Sequence, residues 1–522
     1  MNSQNTNKLS LSQLFLAASI LSVIITILWL MYPNPNRRYH LVLTGMSKGR
    51  IRPFKAKFKP YQGKRMGGAA GIAAVIKDVV KSFEGSPYNL FSIGSEISGT
   101  ADAYFTRGGA IVRIMNAVGI EAMLVGNIEF TYGQSRLAEL AEQAEFSFLS
   151  SNVSEVESER APAYLSPGLF FNPGGGLKIG VVGLTPPSTP TLTALSNIEG
   201  LDFAVPAEPL RLQIDAMRKA GADLVVLLTM YNQDRIKADE WRAIASAAPD
   251  ICVMVDFDID APPAVRRDGV VIKTVSGYNQ SKEVDILDLE ITPAPVRIVS
   301  WKGRRLAVNH AEITADPEVA RVVDVITREN REARDRYIGE FAADYQQQWD
   351  RECPIGNMIT DAMREESGCD IAFHNSGGIQ SGIQAGDFSV GDLFSMMPFD
   401  NQMVMMQLTG SEIEELLRIS ASLQRGLLQV AGVSYEFSRR PDGNYALDSF
   451  MIGGAPVDPD RLYSVCTNNF LADGGDNFTT FRKGRQLQYG RQQRDVVSEY
   501  VARHSADAPL RLANEGRITR RD

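Results

Sequence analysis

Apolar runs that each stop at a loop, and that alternate with helical stretches, constrain this chain more than any other feature. The runs at 89–99 (NLFSIGSEISG), 122–130 (AMLVGNIEF), 146–153 (FSFLSSNV), 178–185 (KIGVVGLT), 223–234 (DLVVLLTMYNQD) and 250–260 (DICVMVDFDID) read as buried strands. An earlier run at 40–50 (HLVLTGMSKGR) reads as a strand and loop, and 67–83 as a helix that begins at glycines. Helical stretches at 110–119 and 209–221 lie between strands. Strands alternating with helices imply an α/β layered domain whose functional residues sit at the carboxyl ends of the strands.

A single core seldom grows past roughly 250 to 300 residues, so 522 residues predict more than one domain. The charged helical stretch 316–341 separates the first region from a second that starts near Tyr337. The expected division is a tail over 1–10, an apolar segment over 11–31, a first domain over 40–305, a linker helix over 306–336 and a second domain over 337–522.

The apolar segment, LSQLFLAASILSVIITILWLM, carries no charge and is long enough to cross a hydrocarbon core of roughly 30 Å as a helix. Trp29 and Tyr32 at its end suit a membrane interface. No small-x-small cleavage site follows it, so we read it as a single-pass transmembrane anchor rather than a cleaved signal.

The formal net charge of -8 hides an asymmetry. Residues 1–77 hold twelve Lys and Arg and no acid, which leaves 42 basic against 62 acidic residues in the remainder. A body that acidic argues against nucleic acid as a partner, because phosphate neutralisation needs a clustered basic surface. Cys252, Cys353, Cys369 and Cys466 form no CxxC pair, so neither a zinc ribbon nor a disulfide framework is indicated.

Four ordered blocks, at 351–364 (RECPIGNMITDAMR), 369–410, 427–437 (LLQVAGVSYEF) and 463–478 (YSVCTNNFLADGGDNF), carry the most specific pattern. Asn375, Ser376, Gly377 and Gly378 make a tight loop after the strand DIAFH, where missing side chains let backbone N–H groups approach an anion or a ribose. Phe470, next to Gly474, Gly475 and Asp476, offers an aromatic face beside a carboxylate acceptor, a pairing that suits a base and its hydroxyls.

In order and spacing these blocks resemble the C-terminal substrate-binding domain of the 5'-nucleotidase family. The resemblance implies an α/β fold with a four-layer metallophosphatase-like domain followed by an α+β C-terminal domain. It also implies a nucleotide or nucleoside ligand held at Asn375, Gly377, Gly378, Phe470 and Asp476. Two departures accompany it. Leu427 stands where a second base-stacking ring is expected, and Gln380 stands where the glycine loop usually ends in arginine.

In similar enzymes the first domain supplies Asp, His and Asn from strand-end loops to a two-metal centre that activates water. Here the NDxHG pattern reads Gly45-Met46-Ser47-Lys48-Gly49, the GD dipeptide reads Gly94-Ser95, and GNHEF reads Gly126-Asn127-Ile128-Glu129-Phe130. The later SH and GHxH positions read Thr229-Met230 and Val255-Asp256-Phe257-Asp258. Only four histidines occur in the whole chain, His40, His310, His374 and His504, and none falls at these motifs.

Two arrangements are open for what remains. Asn127, Asp256 and Asp258 could hold one divalent cation, Mg²⁺, Mn²⁺ or Ca²⁺, through oxygen. Alternatively, Lys48 occupies the metal cavity and pairs with Asp256 or Asp258. No catalytic residue is assigned. The expected function is a membrane-anchored family member with catalysis impaired or lost, acting as a ligand-binding or scaffold protein, with a protein partner among its possible roles. The alternative is an active metal-dependent phosphohydrolase with remodelled ligands. Basic residues just after the apolar segment argue for a cytoplasmic body. The resemblance argues for a periplasmic or extracytoplasmic one, and we expect the latter because the charge rule weakens for large translocated domains.

Overall fold

In a computed structural model, residues 36–56, 60–204, 207–233, 236–257, 262–277, 279–399, 401–424 and 426–521 are described. The apolar segment 11–31 and Asp258 lie outside them. Among the described residues no helix is long and apolar enough to cross a membrane.

Two six-stranded sheets form the first part of the chain. One runs Ile298–Ala307, Glu283–Ile291, Arg37–Thr44, Tyr88–Ser92, Ala122–Leu124, Ser147–Leu149, with the last four strands parallel. The other runs Ala264–Arg267, Val270–Ser276, Ile251–Asp256, Leu224–Asn232, Leu177–Leu184, Gly168–Gly174, parallel in its middle four. Leu41, Phe91, Val226, Val253 and Leu287 share one buried cluster with residues of both sheets. Helices cover the outer faces, Ala69–Ser82 and Gly109–Val118 over the first sheet and Ala207–Lys219 and Ala238–Ala247 over the second. Strands buried on both faces explain why the runs are almost continuously apolar rather than alternating.

The charged stretch expected as a linker helix docks on the first layer of helices. Asp316 caps Pro317–Glu329 by accepting from the N–H groups of Glu318 and Val319 at 3.1 and 2.9 Å. Val319, Val323 and Ile326, at i, i+4 and i+7, bury against the same core as Ile72 and Ile111. Its charges therefore mark a solvated face of a packed helix.

The remainder is a five-stranded sheet in the order Leu428–Ala431, Ile371–Asn375, Leu462–Asn468, Gln402–Thr409, Arg485–Gln492, with a separate three-stranded sheet and helices Pro354–Ser367, Gly410–Ala421 and Gln493–His504. The two parts meet through aromatic rings. Tyr104 and Phe394 lie 4.1 Å apart between centroids, and the Arg494 guanidinium sits 4.3 Å from each of them. Arg494 is buried and also donates to the carbonyl of Met397, so this contact holds the walls of the cleft beside it.

Candidate functional site

The first wall of the cleft is made by strand-end loops. The N–H of Met46 donates to Gly94 O at 2.8 Å and that of Lys48 to Ser95 O at 2.9 Å, so the loops after Arg37–Thr44 and Tyr88–Ser92 brace each other. Met46, Lys48 and Ser95 all have left-handed backbone, with φ of 57°, 50° and 57°. Asp, Asn and His tolerate that region several-fold better than most residues. The loop thus keeps a conformation natural to the family's Asp and His while carrying Met and Lys.

Met230 explains what fills the space between these loops. A Cβ on Gly94 would lie 2.5 Å from Met230 Cε, and one on Gly126 would lie 2.4 Å from both its Cε and its Sδ. Met46 is buried in the same apolar cluster against which Met230 packs. A thioether and hydrocarbon fill the space between these loops. Asn127, the one position that keeps the family's residue, donates from Nδ2 to Leu192 O at 3.4 Å, while its own carbonyl accepts from Thr193 Oγ1. It ties down the loop over 189–197. Asp256 is buried at the end of Ile251–Asp256 and is not among the residues lining the cavity at Lys48. Hard divalent cations want oxygen and imidazole donors. Met46, Ile128 and Met230 supply neither, Lys48 is itself a cation, and Ser95 offers only a neutral hydroxyl, so the described residues do not fit a two-metal centre.

The expected partner of Lys48 is Asp256 or Asp258; Asp258 lies outside the described residues, and Lys48 forms no ion pair with Asp256. Lys48 Nζ donates to Gln380 Oε1 of the second domain at 3.1 Å. Burial alone pulls its pKa below the ordinary lysine value. Because the Lys48 turn is pinned to the Ser95 loop, the side chain spans the cleft instead of folding back to the second sheet. Gln380 in turn donates from Nε2 to Gly377 O at 2.6 Å, so the residue replacing the expected arginine links Lys48 to the glycine loop.

Two buried carboxyl groups stand behind the loops. Glu129 accepts from the N–H groups of Gly126 and Glu96 at 2.9 and 2.8 Å. Glu96 accepts from Ser92 Oγ at 2.7 Å, and burial pushes its pKa up to about 7. Neither group was singled out from the sequence.

The second wall brings the predicted pocket residues together. Asn375, Gly377, Phe470 and Asp476 line one cavity of about 200 Å³ with Trp349 and Asn127. Asn375 Nδ2 donates to Asp476 Oδ2 at 2.8 Å, and Asn468 Nδ2 donates to Asn375 Oδ1 at 3.2 Å, which fixes the amide and the carboxylate. Gly378 is the exception: it packs on buried His374, where a Cβ would come within 2.6 Å of Nε2, so it supports the loop from behind.

Trp349 is the residue that sequence reasoning missed. Leu427 is fully buried in the core and its N–H donates to Trp349 O at 3.1 Å, which presents a ring from a different segment. Each ring rests on a glycine. A Cβ on Gly475 would meet Phe470 at 2.5 Å, and one on Gly426 would meet Trp349 at 2.8 Å. Trp349 remains 47% exposed, a large apolar surface to leave in water, which fits a face awaiting a ligand. Its only sequence signal is an isolated tryptophan in the polar run QQQWDRE.

The model of the 5'-nucleotidase C-terminal domain matches residues 322–483. The chain is 26% identical over 482 residues to a 5'-nucleotidase of Diplobatis ommata, covering 82% of this chain and 81% of that protein. It is 23% identical over 430 residues to endonuclease YhcR of Bacillus subtilis, covering 78% of this chain but 34% of that protein, so the chain spans about a third of that relative's length. Among solved structures, the 5'-nucleotidase precursor of Thermus thermophilus superposes with a TM-score of 0.79 at 24% identity, covering 92% of this chain and 99% of that one, a likeness of fold. Residues 322–483 thus carry a 5'-nucleotidase C-terminal domain, and over most of its length the chain is similar to 5'-nucleotidases in sequence and fold.

Proposed function

We propose that this chain is a membrane-anchored member of the family that binds a nucleoside or nucleotide in its cleft and does not hydrolyse it by two-metal chemistry. The observation that carries the reading is the contrast between the two walls. Met230 packs into the space beside Gly94 and Gly126, while Phe470 and Trp349 remain seated on glycines at the mouth of the other wall. Two cations stabilise developing phosphoryl charge by several kcal/mol and generate the attacking hydroxide. Without them turnover falls by several powers of ten, at roughly 1.4 kcal/mol per decade.

The test uses the full chain purified in detergent. With AMP, a UDP-sugar or a generic phosphate ester, turnover in Mn²⁺, Mg²⁺ or Zn²⁺ is expected to match that in chelator. Metal-dependent turnover that disappears in Asn127→Ala or Asp256→Ala would establish the alternative, a phosphohydrolase with remodelled ligands.

The anchor rests on the uninterrupted apolar run 11–31. Deleting residues 1–35 is expected to move the protein from the membrane fraction to the soluble one. Retention in the membrane after that deletion would refute anchoring by this segment. An extracytoplasmic body is the orientation we propose, and protection of the body from protease added to spheroplasts, whose outer layers are removed, would reverse it.

A further inference from the structure

Beside the ring pocket lies a second cavity of about 230 Å³, sharing Asn127, Ile128 and Phe399 with it. That is several times the roughly 30 Å³ share of one water in the liquid, so a phosphate-sized ion fits. Its lining is polar and cationic, with Lys48, Arg50, Ser95, Ser98, Gln380 and Ser381 among the contributors.

Two features make this more than a wet gap. Lys48 has three ammonium donors and uses one on Gln380 Oε1. Arg50 has a buried Nε with no hydrogen-bond partner, and its guanidinium carbon lies 4.7 Å from the Phe54 ring centroid. Neither cation pairs with a carboxylate among the described residues. Burial lowers the pKa of both, and for Arg50 the nearby charge of Arg52 lowers it further. Both side chains are half-buried, and cations withdrawn from water are ordinarily paired, since desolvation is costly without a counter-charge. Glu96 and Glu283 line a neighbouring cavity together with Arg50, and Glu96 is already occupied by Ser92.

We propose that Lys48 and Arg50 form a metal-free oxyanion site that takes the phosphate of a nucleoside monophosphate whose base lies between Phe470 and Trp349. The base half of this statement rests on the ligand-binding reading above. The anion half stands on the two cations alone. The geometry replaces metal charge with side-chain charge on the same side of the cleft, and the exchange of arginine for Gln380 leaves Lys48 as the charged group at that edge.

Calorimetry on the full chain in detergent with chelator present separates the two halves through three probes: inorganic phosphate, AMP and adenosine. Saturable phosphate binding is expected in chelator, and AMP is expected to bind at least tenfold more tightly than adenosine. Lys48→Met and Arg50→Gln are each expected to weaken phosphate and AMP roughly tenfold or more, the loss of one charge-assisted contact, while adenosine is unchanged. Thermal unfolding checks that each variant folds, and if one does not, the other decides. No phosphate binding in the wild type under chelator, binding that needs an added divalent ion, or binding that survives both substitutions overturns the proposal. Phosphate bound normally with adenosine not bound at all leaves the anion site standing and sinks the base pocket.

Discussion

Replacing Trp349 and Phe470 together by alanine is expected to weaken adenosine binding about a hundredfold or more, with each single substitution costing about tenfold. Base–aromatic stacking contributes roughly 1 to 3 kcal/mol per ring, and tenfold in affinity is about 1.4 kcal/mol. Both rings line the same cavity and rest on glycines; Phe470 also packs against the core, so its truncation costs some folding energy, whereas Trp349 is 47% exposed. Trp349→Phe is expected to recover most of the affinity, because a smaller ring retains a stacking face. Calorimetry measures the wild type and all four variants, and thermal unfolding reports any loss of fold. If Phe470→Ala leaves the affinity unchanged, the pocket has been placed wrongly. If only Trp349→Ala does, the second ring comes from elsewhere.

Glu96→Gln is expected to flatten the stability of the first domain between pH 5 and 8. Glu96 is 6% exposed, and burial raises its pKa from 4.5 to about 7 against the lowering effect of hydrogen bonds from Ser47 and Ser92. The folded protein therefore holds a proton there that the unfolded chain has released. Stability is greatest below the unfolded value near 4.5 and declines as pH rises towards 7, by up to about 3 kcal/mol at 1.36 kcal/mol per pKa unit. A neutral amide cannot ionise, so the variant avoids that decline and is the more stable protein at pH 8. Glu129 is also raised by burial, and its charge is one of the causes that raise Glu96, so the difference between the two proteins includes their mutual repulsion. Denaturant unfolding of wild type and variant at pH 5 and pH 8 gives the difference directly. Identical pH dependence in the two would show that Glu96 is not the titrating group.

Much of the first domain was legible because parallel strands buried on both faces are written as continuous apolar runs, and these runs coincide with Tyr88–Ser92, Leu177–Leu184, Leu224–Asn232 and Ile251–Asp256. The helix over 317–329 was legible as a helix but not as a packed one, since three apolar residues at i, i+4 and i+7 are easily hidden among charges. Asn375, Gly377, Phe470 and Asp476, which line one cavity, could be singled out because they sit in local motifs. Trp349 was not, because nothing in its neighbourhood announces that it will lie on Gly426. That Lys48 donates to Gln380 rather than to Asp256 was not legible, because it depends on how two distant segments face each other.

By itself the sequence determined the order of strands and loops, the family to which the C-terminal blocks belong, and the identity of the side chains at each strand end. Those are properties of local spacing and of which atoms a side chain contains. Only the tertiary structure decided that Met230 fills the space between Gly94 and Gly126, that Asn127 is turned to the 189–197 loop, and that Lys48 and Arg50 meet at one cavity without a carboxylate. Each of those is a contact between residues distant along the chain, set by the packing of whole sheets and by the Tyr104–Phe394–Arg494 junction between domains. Periodicity within a segment carries no information about which far segment it will touch.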